Sequence, residues 1–184
     1  MNFARTALAT LLTGAALAAA AAPLKTDTAH SSVSATFRQM NVPVEAKFNK
    51  FTAQVDYDDK RPDASKARVD IDTASLDLGD PDMNREVAKK EWFNSAQFPK
   101  ASFVSSAIRA SAPGKLLVAG KLTIKGKTAD VSFPLSQKLV GGKQVFEGQL
   151  PIKRLAFNIG EGEWKDTSMV ADEVVIKFRV TAAP

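Results

Sequence analysis

From Ser32 to the end of the chain, apolar and polar side chains take turns. Val33, Ala35 and Phe37 oppose Ser34, Thr36 and Arg38, while Phe51, Ala53, Val55 and Tyr57 oppose Thr52, Gln54 and Asp56. Val69 and Ile71 oppose Arg68, Asp70 and Asp72, and Phe103 belongs to a further run after Pro99. Residues 116–135, LLVAGKLTIKGKTADVSFPL, set Leu116, Val118, Leu122 and Ile124 against Lys121, Thr123 and Lys125. The pattern then resumes beyond Gly126 with Val131, Phe133 and Leu135. Phe146, Leu150 and Ile152 share a face, and Val174, Ile176, Phe178 and Val180 oppose Val175, Lys177 and Arg179. Successive side chains of a strand point to opposite faces, so each run predicts a strand with one apolar and one wet face.

Turn chemistry separates the runs: DDKRPD at 58–63, SAPG at 111–114 and VGGKQ at 140–144. Counting gives about eight strands joined mostly by short turns, an antiparallel meander. One stretch departs from the pattern. In DPDMNREVAKKEWFN, residues 80–94, Asp80 precedes Pro81 as an N-cap and first-turn pair, and Met83 and Val87 fall at helical spacing. The spacing predicts one short α-helix over about residues 81–91 in an otherwise all-β chain.

Eight strands with a single apolar face can stack as a sandwich or close into a barrel, and a closed soluble barrel of this size can hold one small ligand. An outer-membrane barrel would need an outward apolar band and aromatic girdles. The second face here is Lys, Arg, Asp, Thr and Gln, and the chain has one Tyr and two Trp. The small residues Ala35, Ala53, Ala101 and Gly120 among the large ones favour unfilled interior volume, unless neighbouring Phe rings close it.

Residues 1–22, MNFARTALATLLTGAALAAAAA, carry one charge, Arg5, ahead of an Ala/Leu run that ends in small residues. This pattern predicts a secretory signal peptide cut at Ala21 or Ala22, an exported protein and a single domain over 23–184. The formal charge of +5 is scattered, which fits solubility rather than a nucleic-acid partner. The absence of cysteine excludes disulfides, thiol nucleophiles, thiolate metal sites and lipoprotein acylation.

Candidate chemistry is sparse. His30 is the single histidine, too close in sequence to Asp27 and Ser31 for a convergent triad, and reads as a structural or rim hydrogen bond. One His and no Cys make a poor metal site. DYDDK at 56–60 lacks the spacing and glycine of a calcium loop. Glu161 and Glu163 in GEGEWKD could form an acid–base pair, although the flanking glycines favour a solvated loop. Gly126 and Lys127 lack phosphate-loop spacing.

Four motifs, in order, cover nearly all of the expected mature chain: DTAHSSVSATF (27–37), EWFNSAQFPKASFVSS (91–106), VAGKLTIKGKTADVSFPL (118–135), and LAFNIGEGEW with ADEVVIKFRV (155–180). Together they resemble the YceI-like family of periplasmic lipid-binding proteins. The resemblance implies an eight-stranded antiparallel lipocalin-like β-barrel whose lumen holds a polyisoprenoid or isoprenoid-quinone lipid. With the sparse chemistry, the expectation is a non-enzymatic carrier without metal or further cofactor; the alternatives are a stress-response or interaction protein with a filled barrel and no cargo, and an enzyme acting on a hydrophobic substrate at the barrel mouth. The inward faces of the strands (Val33, Ala35, Phe37, Phe51, Ala53, Val55, Val69, Ile71, Phe103, Val118, Leu122, Ile124, Phe133, Ile176 and Phe178) would then line the lumen, with Phe157, Ile159 and Trp164 of the fourth motif. Arg38, Lys47, Lys125 and Lys127 would stand at a rim near the headgroup, by the helix and the GEGEW loop. The expected location is the periplasm, with transient contact to a membrane surface. Monomer and homodimer both remain open.

Overall fold

The computed structural model describes residues 23–183, and the expected signal peptide lies outside the described residues. The strands are β1 (Pro23–Thr26), β2 (Ser32–Gln39), β3 (Val42–Phe48), β4 (Phe51–Asp56), β5 (Lys66–Asp72), β6 (Leu76–Asp77), β7 (Lys100–Ala112), β8 (Lys115–Ile124), β9 (Lys127–Val140), β10 (Lys143–Lys153) and β11 (Val170–Ala183). One helix, α1, spans Pro81–Val87.

These segments form eight staves, because three of the staves are broken. β1 and β2 run along the same neighbours, pairing in turn with β4 and β3 on one side and with β11 on the other. β3 and β4 likewise face β6 and β5. All pairings are antiparallel, and β11 returns to both β2 and β1, so the sheet closes on itself. The expected eight-stranded barrel is what the chain builds.

Two-residue turns join β2 to β3 at Met40–Asn41, β8 to β9 at Lys125–Gly126 and β9 to β10 at Gly141–Gly142, all with positive φ. That is the backbone that matches the twist of a tight hairpin. The glycine pair adopts it without cost, whereas Met40 and Asn41 adopt it against their Cβ atoms.

Helix α1 starts as the sequence predicts: the Asp80 carboxylate accepts from the backbone N–H groups of Asp82 (2.7 Å) and Met83 (3.3 Å). It stops four residues sooner than the predicted end at 91. Phe93 N bonds back to Val87 O, Ser95 N to Ala88 O, and Asn94 takes a left-handed conformation. This reversal packs Trp92 and Phe93 against the barrel core, a burial that continued helix would not give.

Inside, aromatic rings occupy the space that two glycines leave. A Cβ at Gly120 would lie 2.6 Å from the ring of Phe103, and one at Gly148 would lie 2.5 Å from the ring of Phe178. Phe103, Phe133 and Phe178 form a row with ring centroids 5.4 Å apart at each step. The interior volume suggested by Gly120 is therefore taken by Phe103, and open space lies elsewhere in the lumen.

Candidate functional site

A cavity of about 190 Å³ runs inside the barrel. It extends from Tyr57, Ala67 and Phe146 near one end to Phe93, Arg154 and Ile159 near the other, and the surface facing it is apolar. At the roughly 30 Å³ that a water occupies in the liquid, the space would take on the order of six molecules, with almost nothing on the wall to bond them. An apolar occupant removes that mismatch.

Of the eighteen side chains expected to face the lumen, thirteen border this cavity. Val33, Ala35, Val55, Val69 and Ile71 border the cavity, as do Phe103, Val118, Leu122, Ile124 and Phe133, and so do Ile159, Ile176 and Phe178. Five others do not border it. Ala53 is buried in the wall opposite its cross-strand partner Val69. Phe157 is buried but sits in a 3-10 turn, residues 154–157, rather than on a strand. Phe37 stands opposite Val44 and Val174 near the β2–β3 turn. Phe51 borders an outer cleft instead. Trp164 packs on Trp92, with centroids 5.3 Å apart.

The four expected rim cations do not converge. Arg38 donates to Asn41 O at 2.9 Å beside the β2–β3 turn. Lys127 begins β9, at the same end of the barrel but three staves away round the ring. Lys47 lies on β3, bordering the outer cleft. Lys125 is not at a solvent rim: its side chain is 6% exposed, and its ammonium donates to Lys90 O (2.7 Å), Asn158 O (2.7 Å) and Glu161 Oε2 (2.9 Å). Those three acceptors use all its N–H groups.

Lys125 thereby joins the loop after α1 to the loop after β10. Two backbone bonds reinforce the junction, from Gly160 N (2.9 Å) and Glu161 N (2.8 Å) to Glu91 O. The ammonium beside Glu161 holds that carboxyl below the usual carboxylate range, the wrong direction for a general acid at neutral pH. Glu163 is exposed on a short 3-10 turn.

Arg154 is the functional-end residue that sequence reasoning misses, since an arginine after a strand reads as surface. It is 2% exposed and borders the cavity. Nε donates to Ala171 O, Nη1 to Ile159 O and Gly160 O, and Nη2 to Trp164 O and Val170 O. Burial pushes its pKa down, partly offset by Asp172. Its guanidinium also lies 5.7 Å from the Trp92 ring centroid, within cation–π range. Five carbonyls and one ring thus fix the fold of residues 159–171 over this end of the barrel. Phe48 and Phe93, edge to face at 6.2 Å, complete the lining here.

Elsewhere, His30 Nδ1 meets Asp27 Oδ2 at 2.9 Å, and Lys143 Nζ meets the same oxygen at 2.7 Å. These contacts, Lys143 first, hold the Asp27 carboxyl down at about 2. Among the described residues, no group of three or more His, Cys, Asp or Glu stands together as a metal site. Asn84 is structural: it accepts from Leu78 N (2.8 Å) and donates to Asp77 (3.1 Å).

Known proteins share this architecture. The YceI-like domain matches residues 24–182. A UPF0312 protein of Shewanella sp. strain ANA-3 is 31% identical over 150 residues, covering 78% of this chain and 75% of its own. BcnA of Burkholderia cenocepacia superposes with a TM-score of 0.84 at 52% identity, over 86% of this chain and all of its own. A polyisoprenoid binding domain from Saccharophagus degradans has the same fold, with a TM-score of 0.70 at 16% identity, over 90% of this chain and 99% of its own. With the match spanning the closed barrel from β1 to β11, the chain belongs to the YceI-like family.

Proposed function

We propose that this protein is a non-enzymatic carrier or store for an amphiphilic isoprenoid lipid, a quinone or a prenyl diphosphate, and that it works in the periplasm after removal of residues 1–22. One observation carries the reading: a cavity of about 190 Å³ with an apolar surface, enclosed by a closed barrel and extending over most of its length. The polyisoprenoid binding domain of Saccharophagus degradans, which shares the fold, supports the same cargo class.

The mechanism is solubilisation. Each buried methylene is worth about 0.8 kcal/mol, so a five-carbon isoprene unit contributes roughly 3 to 4 kcal/mol before ordering costs. A tail thus binds without polar contacts, while its head stays in water. Native mass spectrometry of protein purified from its own periplasm tests the reading through the mass of any retained lipid.

A further inference from the structure

The wall between the β1–β2 stave and the β3–β4 stave is not paired along its whole length. Ladder pairs run from Gln39–Val42 to Ser34–Lys47 and resume only at Leu24–Val55. Residues 27–33 and 48–54 therefore face one another without ladder bonds, apart from one side-chain bond nearby, Thr26 Oγ1 to Ala53 O.

The cause is a 3-10 turn, Thr28–His30, that interrupts the first stave. Its anchors all lead to the other neighbour. Asp27 N donates to Thr181 O (2.8 Å), Thr181 N to Ser31 Oγ (2.9 Å) and Thr181 Oγ1 to His30 O (2.8 Å), and Lys143 reaches Asp27 from β10. These bonds hold the turn on β10 and β11 and leave the β3–β4 side unzipped. On that side the second stave is broken as well, at Asn49–Lys50, with Asn49 N bonded to Ser75 O and Lys50 O to Asp72 N.

Only side chains separate this gap from the lumen. Val33, Phe48 and Ile71 border both the cavity and the outer cleft over the gap. Around them stand Thr28, Ser32 and Thr52, with Lys50 and Lys100 on either side of Asp72 in the strand register. Asp72 is engaged as a cap on Ala74 N (3.0 Å), and neighbouring Asp70 is held by Arg68 at 2.8 and 2.7 Å. Lys50 and Lys100 enter no ion pair among the described residues. The helix end of the barrel is the opposite case, its covering loops bound together through Lys125 and Arg154.

Resting on the carrier reading above, the geometry points to this gap as a side window: the tail of an amphiphile passes Val33, Phe48 and Ile71 into the lumen, and a head bearing acceptor oxygens stays outside with Lys50, Lys100 and the hydroxyls. Phe48 acts as the gate leaf, because it is the largest side chain common to both spaces.

The absence of cysteine makes the test clean. In the whole protein, S32C/N49C continues the Ser34–Lys47 register across the gap, E91C/E161C spans the loops at the helix end where Glu161 N meets Glu91 O, and disulfide formation in each is verified by intact mass. Uptake of geranylgeranyl diphosphate and of geranylgeraniol is then followed with each pair oxidised and reduced. The window predicts that oxidised S32C/N49C slows uptake of both probes by about tenfold or more, reversed by reductant, while E91C/E161C changes it little. Slowing by E91C/E161C alone overturns the proposal. F48A serves as a second measurement independent of disulfide geometry. A gate predicts faster uptake and faster release with little change in Kd, and a Kd change without faster exchange contradicts it. K50Q/K100Q should weaken the diphosphate about fivefold and leave the alcohol unaffected; equal effects on both remove the head site. If neither probe binds the reduced protein, the carrier reading itself falls, an outcome distinct from a window that fails while binding persists.

Discussion

Gly120 of β8 lies beneath the ring of Phe103, so closely that a methyl group there would stand 2.6 Å from two ring carbons and 2.4 Å from Val104 O. The backbone oxygen cannot move aside as a side chain can. Gly120→Val should therefore force Phe103 into the lumen or spread β7 from β8. The expected cost is about 1 to 3 kcal/mol, read as a lower denaturant midpoint, together with loss of space for cargo. Unchanged stability and unchanged lipid retention would show that the ring does not need the glycine.

Ala101 tests the cavity from the opposite direction. It is 6% exposed and borders the lumen beside Ile71. In Ala101→Trp the indole occupies volume that the tail would use, so lipid retention should fall while the lipid-free barrel keeps its midpoint to within about 1 kcal/mol. A filled interior would instead lose about 1 to 3 kcal/mol or more through overpacking. The measurements are retained lipid mass and the denaturant midpoint of delipidated protein.

Arg154 tests what holds the helix end shut. Arg154→Leu takes the guanidinium donors from five carbonyls, three of them in buried bonds, and the expected loss is about 3 to 5 kcal/mol. Hydrogen exchange should show residues 159–171 losing protection first. Arg154→Lys should recover only part of the loss, since an ammonium has three donors and no planar fork. A stable Arg154→Leu variant with protected loops would contradict this role.

Asp27 gives a pH dependence of known sign. Its folded pKa of about 2 lies below the ordinary value of about 3.9. The contribution of its contacts with Lys143 and His30 is therefore complete above about pH 4 and lost as pH falls through 2. Parent protein should be more stable than Asp27→Asn at pH 6, and the difference should shrink between pH 4 and pH 2. A difference that stays constant across that window would mean that the ionised carboxylate adds nothing.

The barrel was legible in the sequence because strand period and burial coincide: Val33 and Ala35, Leu122 and Ile124, Ile176 and Phe178 lie two apart on their strands and all border the cavity. What pattern could not reveal was which inward side chains meet the open part of the lumen. Ala53 and Phe51 share a strand face with Val55, yet Ala53 is buried away from the cavity and Phe51 borders the outer cleft. Burial of charge was also invisible. Lys125 and Arg154 read as solvent-facing cations, because the carbonyls that satisfy them come from loops more than thirty positions distant in the first case and from an irregular return in the second. The breaks in the staves left no trace either, since alternation continues on both sides of Asn49–Lys50.

The central claim is that the lumen holds an isoprenoid lipid. The direct measurement is native mass spectrometry of the protein isolated from its own cells under non-denaturing conditions, followed by tandem release and mass of the cargo. The account predicts a mature chain beginning near residue 22 or 23, with a bound species whose mass fits an isoprenoid tail and which is released intact. A bare polypeptide mass in every preparation, with no uptake of added prenyl lipid, would contradict it.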